Sequence, residues 1–174
     1  MSIASIVMKL KRLLNGSLKA AEQEGMRVER GVSCMGGVNF GSEPYLITLH
    51  KNCRISSNVI FVNHDGGTWA IKDTEYDNGK IIKFGVIEIG EGAFVGARSV
   101  IMPGVHVGAH SVIGAWSVVT KDIPPYTVAC GVPARVVCTL EEYAAKCKKQ
   151  VPGDFDFSEY QHRKKEYLIE RYMK

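Results

Sequence analysis

The chain has 174 residues, of which 45% are hydrophobic and 23% are charged, as is typical of a soluble globular protein with one substantial core. Its net charge of +4 includes no cluster of basic residues of the kind that a nucleic-acid-binding surface needs, which excludes that class of function. The five cysteines include no CxxC pair, so we predict neither a disulfide framework nor a zinc site, and we expect a reducing, cytoplasmic location.

Residues 1–27 form the first predicted element, a short helical segment. Apolar residues recur at helical spacing over residues 3–14. Basic residues lie within and after this stretch, which is the wrong order for a signal peptide, and no apolar run is long enough for stable membrane insertion. We expect the helix to pack on its own protein or on a neighbouring subunit. Contact of Lys9, Lys11 and Arg12 with a membrane surface is the alternative.

A six-residue repeat begins at Ile89. Six consecutive hexads follow, IGEGAF, VGARSV, IMPGVH, VGAHSV, IGAWSV and VTKDIP, and each begins with a branched aliphatic residue. The second position is mostly glycine and the fifth is mostly small. A period of six matches neither the 3.6 of a helix nor the 2 of an isolated strand. It matches a three-sided parallel coil, in which each side and its corner take six residues and successive coils stack every eighteen.

A weaker form of the repeat lies upstream. Three hexads begin at Val28, the count slips by three residues, and it resumes at Leu49. Residues 28–138 are therefore the predicted β-helix domain. The stretch 65–87 follows neither period, and it is predicted to be a loop extruded from one corner.

Residues 139–174 form a predicted C-terminal helical extension. Three prolines end the regular count, and Thr139 is a candidate N-cap for the helix in TLEEYAAKCKKQ. A second helix is predicted in DFSEYQHRKKEYLIERYMK, with Ser158 as a weaker candidate cap. We expect these helices to cover the open end of the coil or to contact another subunit.

Three stretches together resemble one known family. They are the hexads, the pair GSEPYLIT and NHDGG at the mouth of the loop, and VVTKDIPPYTVACGVPARVV at the end of the repeat. The chain resembles the hexapeptide-repeat acyltransferases over residues 28–138, and most closely their galactoside, maltose and polysaccharide O-acetyltransferase branch. The resemblance implies an all-β solenoid, a left-handed parallel β-helix. It also implies acetyl-CoA as co-substrate and a homotrimer with its active sites between subunits.

By this resemblance, His64 matches the family's catalytic histidine. A neutral imidazole can take the proton of an acceptor hydroxyl while the oxygen attacks a thioester carbonyl, and no covalent intermediate is required. Asp65 could orient the imidazole, bind the acceptor or cap the following turn. Glu43, which lies one coil earlier, could bind the acceptor, support His64 or be a structural corner residue before Pro44. Trp69 could stack on a sugar ring or pack the loop down.

Five further residues match positions at which the family binds coenzyme A. The resemblance places the backbone of Ala97 near the thioester, and it places Ala115 and Thr120 near the pantetheine arm. Lys121 and Arg135 match basic residues near the nucleotide phosphates, where charge-assisted hydrogen bonds are strong.

The sequence therefore predicts an acetyl-CoA-dependent O-acetyltransferase acting on a saccharide hydroxyl, in polysaccharide or cell-surface glycan modification. An amino sugar or another small amine or alcohol is the alternative acceptor. A zinc hydratase of the γ-carbonic-anhydrase type and a non-catalytic β-helix scaffold are the alternatives of other classes. His106 and His110 are four residues apart and no third histidine lies at a matching offset, so no metal site is expected.

Overall fold

The computed structural model describes residues 17–173, and these divide after Glu141 into two compact units. The first unit is built almost entirely from short strands. The helix predicted over residues 3–14 lies outside the described residues. The first unit's elements are α1 (Ser17–Gln23), β1 (Arg27–Val28), β2 (Ser33–Cys34), β3 (Ile47–Leu49), β4 (Arg54–Ile55), β5 (Ile60–Phe61), β6 (Ile87–Ile89), β7 (Phe94–Val95), β8 (Val100–Ile101), β9 (His106–Val107), β10 (Val112–Ile113), β11 (Val118–Val119), β12 (Thr127–Gly131) and β13 (Ala134–Thr139).

These strands form three sheets, which the chain visits in turn. Sheet A has the order β1-β3-β6-β9, sheet B has β13-β12-β10-β7-β4-β2, and sheet C has β11-β8-β5. Among the described strands the pairing is parallel, except that β12 and β13 form an antiparallel hairpin. Val95 is in register with Ile113, so one coil here takes eighteen residues, as the period of six predicts. Cys34 is in register with Ile55, which shows the predicted slip of three.

The core of the first unit lies inside the three sheets. The first residue of each regular hexad is buried, and burial of each such side chain contributes about 1.5–3 kcal/mol. The serines at the fifth position are also buried, and their hydroxyls donate to backbone carbonyls at the corners, for example Ser99 Oγ to the oxygen of Gly114 at 3.0 Å. The buried first-position residues are Ile89, Val95, Ile101, Val107, Ile113 and Val119.

The corners between sheets A and B, and between sheets B and C, share a conformation that sequence reasoning missed. The fourth residue of most hexads has a positive φ, which turns the chain from one side to the next. We call these the AB corner and the BC corner, and the third is the CA corner. The AB corner contains Gly31, Asn52, Gly92, His110 and Tyr126, and the BC corner contains Gly37, Asn58, Arg98 and Trp116.

All five cysteines are free thiols. Burial raises the pKa of the Cys53 thiol to about 12 and that of Cys34 to about 11, so both are neutral at physiological pH. None of the helices between residues 17 and 173 has the length and apolar character that a membrane span requires.

The second unit is helical. Its elements are α2 (Leu140–Gln150), which begins at the boundary, α3 (Phe157–His162) and α4 (Lys164–Tyr172). The single second helix predicted from the sequence is therefore two helices, and they meet at Arg163. The predicted cap was also wrong, because the carboxylate of Asp156, not Ser158, accepts the N–H of Glu159 at 2.9 Å. The ring of Phe155 packs edge-on against Tyr167 with 5.2 Å between ring centres.

Candidate active site

The CA corner departs from the regular coil twice, in two successive coils. After Phe40 the chain makes an extra turn that includes a 3₁₀ helix, Pro44–Leu46, before β3 begins. One coil later the chain leaves after β5 and returns to sheet A only at Ile87. The two departures are stacked, because β1, β3 and β6 are neighbours in the same sheet.

The two departures bring Glu43 and His64 into contact. His64 Nδ1 lies 2.9 Å from Glu43 Oε2, and the hydroxyl of Ser42 donates to the same oxygen at 2.9 Å. Because a carboxylate only accepts hydrogen bonds, this contact requires the proton on Nδ1, and in the neutral imidazole Nε2 is then the acceptor. The side chain of Glu43 is 17% exposed and that of His64 is 45% exposed, so the imidazole faces solvent while its partner is shielded.

Asp65 uses both its carboxylate oxygens within the loop. Oδ1 accepts the N–H of Gly67 at 2.9 Å and caps the 3₁₀ helix Gly66–Ile71, while Oδ2 contacts Lys83 Nζ at 3.2 Å. The Gly67 N–H and then the Lys83 ammonium lower the pKa of the Asp65 carboxyl below its ordinary value. Asp65 therefore fastens the base of the loop.

The two ends of the loop pair with each other beside His64. The N–H of Asp65 donates to the oxygen of Lys83 at 2.9 Å, and His64 and Phe84 form an antiparallel bridge. The His64 and Phe84 rings are 5.8 Å apart. Sequence reasoning missed Lys83 and Phe84 as parts of this site, because the returning end of the loop has no periodic pattern.

An open cavity of about 420 Å³ lies between His64 and the loop. Its walls include Trp69, Asp77 and Phe84. The indole of Trp69 is 76% exposed, and the ammonium of Lys72 lies 4.9 Å from its ring centre. The cavity therefore offers an aromatic surface with polar groups around it, next to His64.

Four of the five residues predicted to bind coenzyme A lie at two corners. Ala97 and Ala115 lie on the BC corner in successive coils, and the N–H of Trp116 donates to the oxygen of Ala97 at 2.9 Å. Thr120 and Lys121 follow β11 at the CA corner, where both are exposed.

Arg135 lies in the terminal hairpin, in β13, with its side chain exposed and its guanidinium donating to the oxygen of Ala134 at 2.8 Å. Lys121 shares a corner with His64 and lies two coils further on, roughly 10 Å at the usual strand spacing. Ala97 and Ala115 lie at the BC corner, at the opposite end of the strands of sheet C.

The two histidines weighed as metal ligands have other contacts. His106 lies 3.8 Å from a carboxylate oxygen of Glu88 and 3.6 Å from one of Asp122. The ring of His110 stacks on that of Tyr126 with 5.2 Å between centres. Over residues 17–173 no three His, Cys, Asp or Glu side chains converge in the way that a metal site requires.

Comparison with known proteins agrees with this fold. Residues 87–121 match the family of bacterial transferases with hexapeptide repeats (six repeats). Protein CapG of Staphylococcus aureus is 40% identical over 135 residues, which cover 76% of this chain and 74% of CapG. Galactoside O-acetyltransferase of Escherichia coli (strain K12) is 41% identical over 106 residues, which cover 58% of this chain and 47% of that protein.

Two solved structures share the fold. A maltose O-acetyltransferase from Clostridium difficile 630 has a TM-score of 0.54 at 26% identity, covering 75% of this chain and 82% of its own. A galactoside acetyltransferase in complex with coenzyme A has a TM-score of 0.54 at 23% identity, covering 82% of each chain. The chain belongs to the hexapeptide-repeat acyltransferase family, as the sequence predicts. Within it, the chain falls on the branch of the galactoside and maltose O-acetyltransferases, and it is an acetyltransferase.

Proposed function

We propose that this acetyltransferase transfers the acetyl group of acetyl-CoA to a hydroxyl of a saccharide, with His64 as the general base. One observation carries the proposal: Nδ1 of the imidazole is held by Glu43 at 2.9 Å, and His64 lines an open cavity. A base held in one tautomer and one orientation is the arrangement that general-base catalysis needs.

The chemistry follows from that arrangement. Nε2 of His64 accepts the proton of the acceptor hydroxyl while its oxygen forms a bond to the thioester carbonyl carbon. The tetrahedral intermediate then breaks its carbon–sulfur bond, and the departing thiolate takes the proton from the imidazolium. Glu43 stabilises the imidazolium between these two steps, so it acts as a positioning residue. The reaction needs no covalent enzyme intermediate, because a thiolate is a good leaving group.

The positions of the coenzyme residues support an active site shared between copies of the chain. Ala97 and Ala115 lie at the BC corner, whereas His64, Thr120 and Lys121 lie at the CA corner across sheet C. A coenzyme that touches both groups near one imidazole fits a cleft between the BC corner of one copy and the CA corner of the next. We therefore propose a homotrimer with acetyl-CoA in each cleft, and with Lys121 and Arg135 near its phosphates.

The remaining parts of the proposal concern architecture and location. They are the left-handed coiling of the family, a β-helix domain over residues 28–138 between an N-terminal segment (1–27) and a C-terminal extension (139–174), and a cytoplasmic location. The fold of the solved relatives supports the coiling. The availability of acetyl-CoA favours the cytoplasm.

A saccharide acceptor is supported by the cavity and by the relatives. The exposed indole of Trp69 offers a flat apolar surface, on which a sugar ring can stack, next to polar side chains. Two relatives of the same branch are named for galactosides and maltose. We propose that the acceptor belongs to a polysaccharide or a cell-surface glycan.

The test is an acetyl-transfer assay with acetyl-CoA and a panel of glycosides and oligosaccharides, in which release of the coenzyme thiol and acetylation of the sugar are both measured. We expect His64→Ala to lower kcat by about 10²–10⁴-fold. The thermal midpoint and the affinity for coenzyme A should not change. His106→Ala is the matched control, because it removes an exposed histidine from the same coil system outside the site.

Near-normal turnover by His64→Ala would contradict the role of this residue as the base. Acetylation of amino sugars alone would replace the hydroxyl acceptor by an amine. A wild-type protein whose thermal midpoint does not rise with saturating acetyl-CoA would contradict the proposed function itself, since a ligand at a hundredfold excess over Kd stabilises by about 2.7 kcal/mol.

A further inference from the structure

The BC corner changes its residue type partway along the coil. In its first two coils the residue with positive φ is Gly37 or Asn58, and both residue types adopt this conformation readily. In the next two coils the same position holds Arg98 and Trp116, each with a φ of 60°. A bulky side chain at positive φ is uncommon, because this region of backbone conformation favours glycine and asparagine.

The contacts within the coil account for the backbone of these residues but not for their side chains. The N–H of Arg98 donates to the oxygen of Ser57 at 2.9 Å, and that of Trp116 donates to the oxygen of Ala97 at 2.9 Å. A glycine or asparagine would make the same backbone contacts. The indole of Trp116 is 65% exposed, so its size adds little to the core of this chain.

The two side chains form a single raised surface, which we call the BC ledge. The guanidinium carbon of Arg98 lies 5.0 Å from the centre of the Trp116 ring, which is cation–π geometry and fixes the indole at the corner. Arg98 directly follows Ala97 and Trp116 directly follows Ala115. The ledge therefore flanks the two residues that the proposed function places against the reactive end and the pantetheine arm of the coenzyme.

We propose that the BC ledge binds the pantetheine arm of the acyl coenzyme, an inference that rests on the proposed function. The arm is an uncharged chain of two amides and a geminal dimethyl group, and the exposed indole offers it a flat apolar surface. Lys121 and Arg135 are assigned to the phosphates, and the guanidinium of Arg98 is engaged with the indole.

The AB corner provides a matched control within the same molecule. There His110 and Tyr126 also have positive φ, of 55° and 57°, and their rings stack with 5.2 Å between centres. No residue beside this pair is assigned to the coenzyme. Substituting His110 by glycine therefore removes an aromatic side chain of the same conformation without touching the BC ledge.

The experiment measures Kd by calorimetry for coenzyme A and for adenosine 3′,5′-bisphosphate, a ligand that lacks the pantetheine arm. We expect Trp116→Gly to weaken binding of coenzyme A about tenfold and to leave binding of the bisphosphate unchanged. His110→Gly should change neither affinity. Arg135→Ala should weaken both ligands, because it acts on the phosphates. Thermal midpoints of the two glycine variants should stay within about 3 °C of wild type, since glycine relieves the positive φ.

Unchanged affinity of Trp116→Gly for coenzyme A would overturn the ledge. The ledge would also be overturned if Trp116→Gly lost as much affinity for the bisphosphate as for coenzyme A, or if His110→Gly lost as much affinity for coenzyme A as Trp116→Gly does. Dissociation of the Trp116→Gly assembly in gel filtration would overturn it as well. If Trp116→Gly does not fold, Trp116→Asn repeats the test with the residue type of Asn58. Failure of wild type to bind coenzyme A would overturn the proposed function. A normal Trp116→Gly beside a weakened Arg135→Ala would overturn the ledge alone.

Discussion

The regular coils over residues 87–121 and the CA corner of the two coils before them follow opposite rules. In the regular coils every turn takes six residues, and the second-position glycines lie against the backbone of the next coil. At the CA corner the chain leaves the coil at residues 41–46 and again at 62–86, and both segments contain exposed polar side chains. Both departures occur at the same corner of successive coils, so two segments far apart in sequence become neighbours.

This difference shows how a rigid fold positions the two central residues of the candidate site. Glu43 and His64 are 21 residues apart, which is one coil plus the three extra residues of the first departure. The buried strands on either side fix the positions from which both side chains leave the coil. The regular region therefore determines the geometry of the site without contributing the two residues that form its centre.

Adding the same methyl group to each region should have very different effects on stability. In Gly96→Ala the added Cβ would lie 2.5 Å from the nitrogen of Ala115 and 2.7 Å from the oxygen of Ile113, so backbone must move. We expect a loss of about 3 kcal/mol in the free energy of unfolding. In Gly66→Ala no atom lies within 4 Å, and we expect a change within about 0.5 kcal/mol.

Chemical denaturation at one fixed protein concentration measures both variants. Similar losses in the two would show that the loop start is as tightly constrained as the coils. That result would contradict the distinction between the two regions.

The second prediction concerns the contact that the two departures create. We expect Glu43→Ala to lower kcat about 10- to 100-fold and to leave KM for acetyl-CoA unchanged, because the imidazole loses its orienting carboxylate. Glu43→Gln should fall between wild type and Glu43→Ala, since it keeps an acceptor oxygen without the charge. Steady-state kinetics with a saturating acceptor measure the split between kcat and KM.

Glu29→Ala is the matched control for this prediction. It removes a carboxylate that lies 3.1 Å from the imidazole of His50, outside the site, and should leave kcat unchanged. An unchanged kcat with a raised KM for the acceptor in Glu43→Ala would assign Glu43 to acceptor binding.

The regular region was the part that could be predicted from the sequence. A branched residue recurs every six positions because each side of the coil buries one such residue. Ile89, Val95 and Ile101 therefore all indicate the same buried position of the repeat. The slip after Tyr45 and the break after Phe61 were visible for the same reason, as failures of the period. The positive φ at the fourth position also left a signal, since Gly31, Asn52 and Gly92 are residue types that favour it.

The centre of the site could be predicted only in part. Glu43 was a candidate with three possible roles, and only the structure shows that its carboxylate contacts His64 at 2.9 Å. Lys83 and Phe84 have no signal, because their place beside His64 depends on how the loop closes. An irregular backbone segment has no repeating sequence pattern, so its side-chain contacts cannot be predicted from one. They depend on how the whole chain folds.

The smallest effect that we predict concerns the base of the loop. The Gly67 N–H and the Lys83 ammonium favour the charged form of Asp65 and lower its pKa. A carboxyl whose pKa is lowered by folding stabilises the folded state at pH values above its pKa in the unfolded chain, which is about 3.9. This contribution is lost as the pH falls through the lower pKa of the folded state. Asp65→Asn keeps an oxygen to cap Gly67 but has no charge to lose. We therefore expect hydrogen exchange over residues 65–72 to show weaker protection in Asp65→Asn than in wild type at pH 7, and we expect this difference to shrink as the pH falls below about 3.9. A difference that persists unchanged at pH 3 would mean that uncharged hydrogen bonds, rather than the carboxylate charge, fasten the loop to the coil.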